Sequence, residues 1–241
     1  MQKNVGKVSI NYSPNFDNKK RSASKVKYLI FHYTGMKSEN AAIKRLTNKS
    51  SKVSCHYFIK SNGEIIRIVP DLYIAWHAGI SSWKKDKSLN SNSIGIEISN
   101  PGHDYKYKNF SQKQITSIID LSKNLKKKYK IKKENILGHS DIAPLRKKDP
   151  GEKFPWKLLN KKKICLWHNL SEKNCKKLRG IKLKNSDYFF KLLFKFGYKS
   201  TNDKNEKIKI YKNLYFLPVF FFLNIYIFFH LNYAIKIFFF Y

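Results

Sequence analysis

Acidic side chains are scarce in this chain. It has 16 Asp and Glu against 49 Lys and Arg, a formal net charge of +33 over 241 residues. A surplus of that size suits a polyanionic partner or surface. It also fits a compositional bias, because Lys, Asn, Ile, Phe and Tyr are all abundant. A specific nucleic-acid partner is not expected, since no RNP, zinc-finger or helix-turn-helix signature accompanies the basic residues. Cysteine is scarce too: Cys55, Cys165 and Cys175 form an odd, sparse set without a disulfide framework. Residues 1–16, MQKNVGKVSINYSPNF, lack the apolar stretch of a secretory signal. That absence favours the cytoplasm, whereas the other end of the chain favours the envelope or a membrane.

Composition divides the chain into three. Residues 1–160 are patterned and hold most of the Gly and Pro. Residues 161–213 are Lys-rich with little pattern. Residues 214–241 form a hydrophobic, aromatic tail; from Asn213 to Ile235 there is no Asp, Glu, Lys or Arg. At about 20 apolar residues such a tail can span a bilayer, but Pro218, Asn224, His230 and Asn232 interrupt it. A membrane anchor, a degraded or frame-shifted end and a buried element of a second domain all remain open. Basic residues before an anchor would favour anionic lipid.

The first region alternates strand and helix signals. KVKYLIFHY (25–33) reads as a buried strand, and SENAAIKRLTN (38–48) as a helix opened by a Ser cap. VSCHYFIK (53–60) and EIIRIVP (64–70) flank Asn62-Gly63, a hairpin signal. SIGIEIS (93–99) alternates like a half-buried strand. SQKQITSIIDLSKNLKKKY (111–129) opens with a capping-box pair, Ser111 and Gln114. It then places Ile115, Ile118, Ile119, Ser122 and Leu125 on one helical face. NILG (135–138) is a short strand. The order β-α-β-β-β-α-β predicts an α/β (α+β) domain with a mixed central β-sheet flanked by helices.

Two of the seven histidines sit at strand exits: His32 ends KYLIFHY and His139 follows NILG. Asp149 lies on a loop stiffened by Pro144 and Pro150. Two His and one Asp make a donor set that suits Zn2+ with an open fourth position. On these residues alone another reading stands, in which His139-Ser140-Asp141 is a cap and Asp149-Pro150 a turn. Glu97 stands alone in the Ile-rich strand IGIEI, where an unpaired carboxylate is costly to bury. Apolar surroundings would raise its pKa, as a general base or acid needs. Lys147 offers a cation for a developing oxyanion. Asp141 and the prolines read as loop-shaping, and Arg146 and Lys148 as solvated neighbours.

Six segments together resemble the zinc-dependent N-acetylmuramoyl-L-alanine amidases, the family that includes phage amidase lysozymes and peptidoglycan recognition proteins. They are NYSPNF (11–16), IFHYTGM (30–36), VSCHYFI (53–59), WHAGISSW (76–83), NSIGIEISNPGH (92–103) and GHSDIAPLRKKDPGEKFPW (138–156), and they cover about residues 10–160. The resemblance implies hydrolysis of the amide between N-acetylmuramic acid and L-alanine, in peptidoglycan or muropeptides. It implies Zn2+ on His32, His139 and Asp149, with Glu97 activating water and Lys147 stabilising the tetrahedral intermediate. His56, Tyr57 and His77 are carried over as cleft or substrate contacts. Tyr33, Trp76 and Trp83 suit contacts to a sugar ring or peptide stem. Residues 161–213 keep only a faint echo, KLLFKFGYKS, of the family's peptidoglycan-binding module. A non-catalytic peptidoglycan-binding protein on the same fold is the alternative, and a monomer is expected.

Overall fold

The structure, a computed structural model, describes residues 8–167, 186–199, 201, 203–207 and 210. The hydrophobic tail lies outside the described residues, as does much of the Lys-rich region. No described helix is long and apolar enough to cross a membrane.

In chain order the elements are β1 (Val8–Ile10), β2 (Phe16–Asp17), β3 (Tyr28–Tyr33), α1 (Glu39–Thr47), β4 (Tyr57–Ile59) and β5 (Ile65–Arg67). Then come β6 (Ile74–Ala75), β7 (Ser82–Trp83), β8 (Asp86–Lys87), β9 (Ser93–Ile98) and α2 (Gln112–Tyr129). The described part ends with β10 (Ile136–Gly138), α3 (His139–Ile142), α4 (Trp156–Lys161) and α5 (Ser186–Phe196). Six strands form one mixed sheet in the order β1-β5-β4-β9-β3-β10. Only the β4–β5 pair is antiparallel, and it is the hairpin expected at Asn62-Gly63. Gly63 takes φ +85°, and a Cβ there would meet the Lys113 carbonyl at 2.8 Å, so only Gly fits the turn. β2–β6 and β7–β8 are separate two-stranded ribbons. β1, which pairs in parallel with β5, carries no sequence signal: three residues are too few to show alternation.

The alternation of SIGIEI assigns each face of the sheet. Ile94, Ile96 and Ile98 are fully buried and pack with Phe31, Ile118, Leu121 and Leu125 beneath α2. Each contributes about 1.5–3 kcal/mol by leaving water. The α2 capping box is formed: Ser111 Oγ accepts from Gln114 N at 3.1 Å, and Gln114 Oε1 accepts from Ser111 N at 3.0 Å. The buried stripe of α2 is centred on Ile118, Leu121, Ser122 and Leu125. Ile115 and Ile119 sit at its edge, only partly buried.

The opposite face is covered in patches. Phe58 and Cys55 pack with Ala42 and Leu46 of α1. Tyr28, Ile30 and Leu137 pack with Trp83, Leu89, Leu193 of α5 and Tyr198. The uncovered part lies at the C-terminal ends of β3 and β9 and beyond β10.

Candidate metal centre

His32 and Glu97 are register partners on the adjacent parallel strands β3 and β9, so their side chains leave the sheet on one face. β10 pairs with the other edge of β3 and delivers His139 as the first residue of α3. The loop after α3 folds back, and Ser140 N donates to the Asp149 carbonyl at 2.9 Å. That bond sets both ends of the loop at the same point in space.

Three acceptor atoms meet there. His32 Nδ1 lies 2.9 Å from His139 Nδ1 and 3.1 Å from Asp149 Oδ2, and His139 Nδ1 lies 3.0 Å from the same oxygen. All three residues are buried, at 1%, 3% and 6% exposure. Among the described residues this is the one His/Cys/Asp/Glu cluster that could hold a metal ion. The far nitrogen of His139 donates to the Ala78 carbonyl at 3.1 Å, which leaves its Nδ1 with a bare lone pair. A lone pair cannot sit against a second imidazole nitrogen and a carboxylate without a cation between them. The edges of the triangle are close to the about 3.3 Å separating ligands 2.0–2.1 Å from a tetrahedral Zn2+. The donor set therefore fits a small divalent metal.

The electrostatics agree. Burial first, and then the neighbouring His139, lower the His32 pKa to about 4 against the pull of Asp149, so this imidazole is neutral and free to coordinate. Burial alone would raise the Asp149 carboxyl, but His139 and His32 hold it well below the usual carboxylate range. Glu97 behaves oppositely: burial first, then the nearby Asp149 charge, push it well above its ordinary value. Its Oε2 is buried with no hydrogen-bond partner among the described residues. A fully desolvated carboxyl oxygen without a partner costs stability and is a functional candidate for that reason.

The metal set opens into a cavity of about 510 Å3 lined by Tyr33, Met36, Val53, Ser54, Trp76, Glu97 and Lys147, with His77, His139 and Asp149 among its other residues. Tyr33 and Trp76 thus stand where contact residues were expected. The Tyr33 hydroxyl donates to His103 Nδ1 at 2.9 Å, and Trp76 Nε1 donates to Asp17 at 2.7 Å. Asn15 of NYSPNF fixes one rim, its amide donating to the carbonyls of Asn48 and Val53 at 2.8 and 2.9 Å.

Several expectations need correction. His56 and Tyr57 do not face the cavity; they are 0% and 3% exposed. His56 Nδ1 accepts from Gly95 N at 3.0 Å and so ties β4 to β9, and Tyr57 donates to the buried Asp71 at 2.5 Å. Tyr57, the first residue of β4, packs into the core beneath α2, whereas His56, one residue before the strand, lies on the other face with its ring 5.6 Å from that of His77. Trp83 is 1% exposed, stacked edge-on against Tyr198 and Phe196. His77 is nearly enclosed, and its ring bonds to His32 at 3.0 Å. Arg146 is no mere solvated neighbour: its guanidinium donates to the carbonyls of Ala78 and Ile80. Sequence reasoning missed it because its partners are backbone atoms some 66 residues away. Asp141 does shape the loop, accepting from Gly138 N at 2.7 Å.

The positive charge gathers elsewhere. A groove of about 660 Å3 is lined by Lys123, Lys126, Lys127, Lys130, Lys132, Lys133 and Lys163, with Glu134 the acidic residue among them. It lies at the end of α2 and just before β10, the opposite end of that strand from His139.

The family described as N-acetylmuramoyl-L-alanine amidase matches residues 22–152, more than half of the chain. The chain is similar to the N-acetylmuramoyl-L-alanine amidase AmiD of Escherichia coli, 38% identical over 162 residues, 62% of this chain and 58% of that protein. It is also similar to the 1,6-anhydro-N-acetylmuramyl-L-alanine amidase AmpD of Haemophilus influenzae, 39% identical over 106 residues, 44% of this chain and 55% of that protein. The chain thus spans little more than half the length of these curated relatives. The structure of E. coli AmiD in complex with the substrate anhydro-N-acetylmuramic acid-L-Ala-D-gamma-Glu-L-Lys superposes with a TM-score of 0.70 at 32% identity, covering 82% of each chain.

Proposed function

The chain belongs to the N-acetylmuramoyl-L-alanine amidase family, and from that premise we propose that it hydrolyses the amide between N-acetylmuramic acid and L-alanine in muropeptides. The observation that carries the proposal is the meeting of His32, His139 and Asp149 at 2.9–3.1 Å beside a buried, unpartnered Glu97 oxygen. These three residues would hold Zn2+. Zinc at such a site acts as a Lewis acid that makes water acidic near neutral pH and polarises a carbonyl.

The chain's own residues divide the remaining work. Glu97, with its raised pKa, takes the proton of the attacking water and passes it to the departing amine. An amide nitrogen leaves poorly until protonated, so the second transfer matters as much as the first. Lys147, on the cavity wall, donates to the developing oxyanion, where losing one such donor costs about 10²–10³ in rate. Tyr33 and Trp76 offer aromatic faces to a sugar ring or stem peptide. An anhydro-muropeptide is a fitting substrate, because the AmiD complex holds one. The lysine groove would retain the enzyme near carboxylate-bearing wall material.

Mass spectrometry of the products tests this directly. Incubation with an anhydro-muropeptide should release free stem peptide and the intact sugar. Exhaustive chelation should abolish the release and zinc should restore it. Product formation after complete metal removal, or cleavage of a different bond, would overturn the assignment.

A further inference from the structure

His77 lines the cavity but is only 8% exposed, and its ring faces the back of a metal-binding histidine. The proton positions along this contact follow from the partners. The Ser93 hydroxyl donates to the Leu89 carbonyl at 2.5 Å. Its oxygen, 3.1 Å from His77 Nε2, must then accept, so His77 carries its proton on Nε2. His77 Nδ1 is therefore a bare acceptor, and the partner 3.0 Å away, His32 Nε2, must donate to it. That fixes the His32 proton on Nε2 and turns its Nδ1 lone pair toward His139 and Asp149. A hydrogen bond on one imidazole nitrogen decides what the other can do.

The next residue does the same for the second histidine. The Ala78 carbonyl accepts from His139 Nε2 at 3.1 Å, which points His139 Nδ1 into the cluster. The Asn90 carboxamide oxygen pins both residues, accepting from His77 N at 3.0 Å and Ala78 N at 2.7 Å. The sheet is hollowed for the ring as well. A Cβ on Gly95 would overlap His77 Cγ and lie 2.5 Å from its Nδ1. We propose that His77 and Ala78 form a cradle, held by Asn90, Ser93 and the bare backbone of Gly95, that sets the tautomers of both metal-binding histidines, with His77 as a positioning residue for His32.

This rests on reading His32, His139 and Asp149 as metal ligands, and the test separates the two ideas. Metal affinity is measured on the full chain by chelator competition with Zn2+ and by the absorption of the Co2+-loaded protein. The variants are His77→Ala, His77→Asn and Ser93→Ala, with thermal unfolding of each metal-free protein alongside. Asn places an acceptor oxygen where Nδ1 stood, so it keeps the bond from His32 while losing the ring. His77→Ala should weaken Zn2+ binding about 10–100-fold and alter the Co2+ spectrum. His77→Asn should recover most of that affinity even where it unfolds at the same temperature as His77→Ala. Ser93→Ala, which keeps the imidazole but frees its tautomer, should give a smaller loss. Equal loss in the Ala and Asn variants would mean that the ring acts by packing, and unchanged affinity in His77→Ala and Ser93→Ala would mean that it does not act on the metal; either result sinks the proposal. Failure of the parent protein itself to bind Zn2+ would instead remove the ligand assignment and this inference with it.

Discussion

Along β9, Ile94, Ile96 and Ile98 point to one side of the sheet, and Ser93, Gly95 and Glu97 point to the other. The first three are packed beneath α2 with their apolar surface removed from water. The second three include a hydroxyl committed to a buried network, a missing side chain and an unpartnered carboxyl oxygen. One face adds stability. The other costs stability and gathers the groups that chemistry requires, held in place by hydrogen bonds rather than by packing. The contrast teaches that the apolar face supplies the free energy that keeps the polar face in an arrangement it would not choose alone.

If that division holds, substitutions on the two faces should separate cleanly. The largest effect is expected from Glu97→Gln, which should lower kcat by about 10²–10⁴ with Zn2+ affinity retained. Its effect on stability should have the opposite sign. Burial raises the folded-state pKa of Glu97 above the ordinary 4.5, so the folded protein holds this proton more tightly than the unfolded chain. That contribution is complete below the unfolded value and is lost as pH rises through the folded one. Near neutral pH the metal-free Gln variant, which cannot ionise, should be at least as stable as the parent and should lose less stability between pH 5 and pH 8. Denaturant titrations at both pH values and steady-state kinetics would show it. Near-parental kcat would remove Glu97 from the reaction.

The apolar face gives the complementary result. Ile96 is fully buried between β9 and α2, and Ile96→Ala should cost about 2–4 kcal/mol of stability through lost burial and a residual cavity. Kcat measured well below the lowered Tm should change little. A loss of kcat comparable to that of Glu97→Gln would mean that the faces are not separable.

Legibility in the sequence follows the same division. The apolar face could be read because burial imposes a period: IGIEI alternates as a strand must, and Ile118 and Leu125 recur as a helix must. Two parts of the site were visible for the same reason. His32 and Glu97 break a regular strand pattern, and a residue that breaks a pattern is conspicuous. His139 and Asp149 were legible from strand exit and loop chemistry. WHAG has no period to break. It lies in a coil between β6 and β7, so nothing local told a substrate contact from a support for His32. Trp83 misled for a further reason: what buries it, Phe196 and Tyr198, comes from a part of the chain with no pattern of its own. His56 and Tyr57 were expected in the cleft through the resemblance alone; no period marks them, because His56 precedes β4 and that strand is buried along its whole length.

The smallest effect tests where the polar face ends. Tyr198, beyond α5, donates its hydroxyl to Asp141 Oδ1 at 2.6 Å, and the other oxygen of Asp141 accepts from Gly138 N. A residue of the late chain thus touches the loop that carries His139 and Asp149. Tyr198→Phe keeps the ring against Trp83, 4.9 Å between centroids, and removes only the hydroxyl. It should cost about 1–3 kcal/mol by leaving a buried carboxylate oxygen short of a donor. Gly138 still holds the other oxygen at the start of α3, so His139 keeps its place and Zn2+ affinity should fall far less than on loss of a ligand. Denaturant unfolding paired with chelator competition separates the outcomes. A stability loss alone leaves the late chain as a prop for the fold. A matching collapse in metal affinity would extend the polar face through Asp141 to Tyr198 and make the segment after residue 185 part of what holds the metal loop.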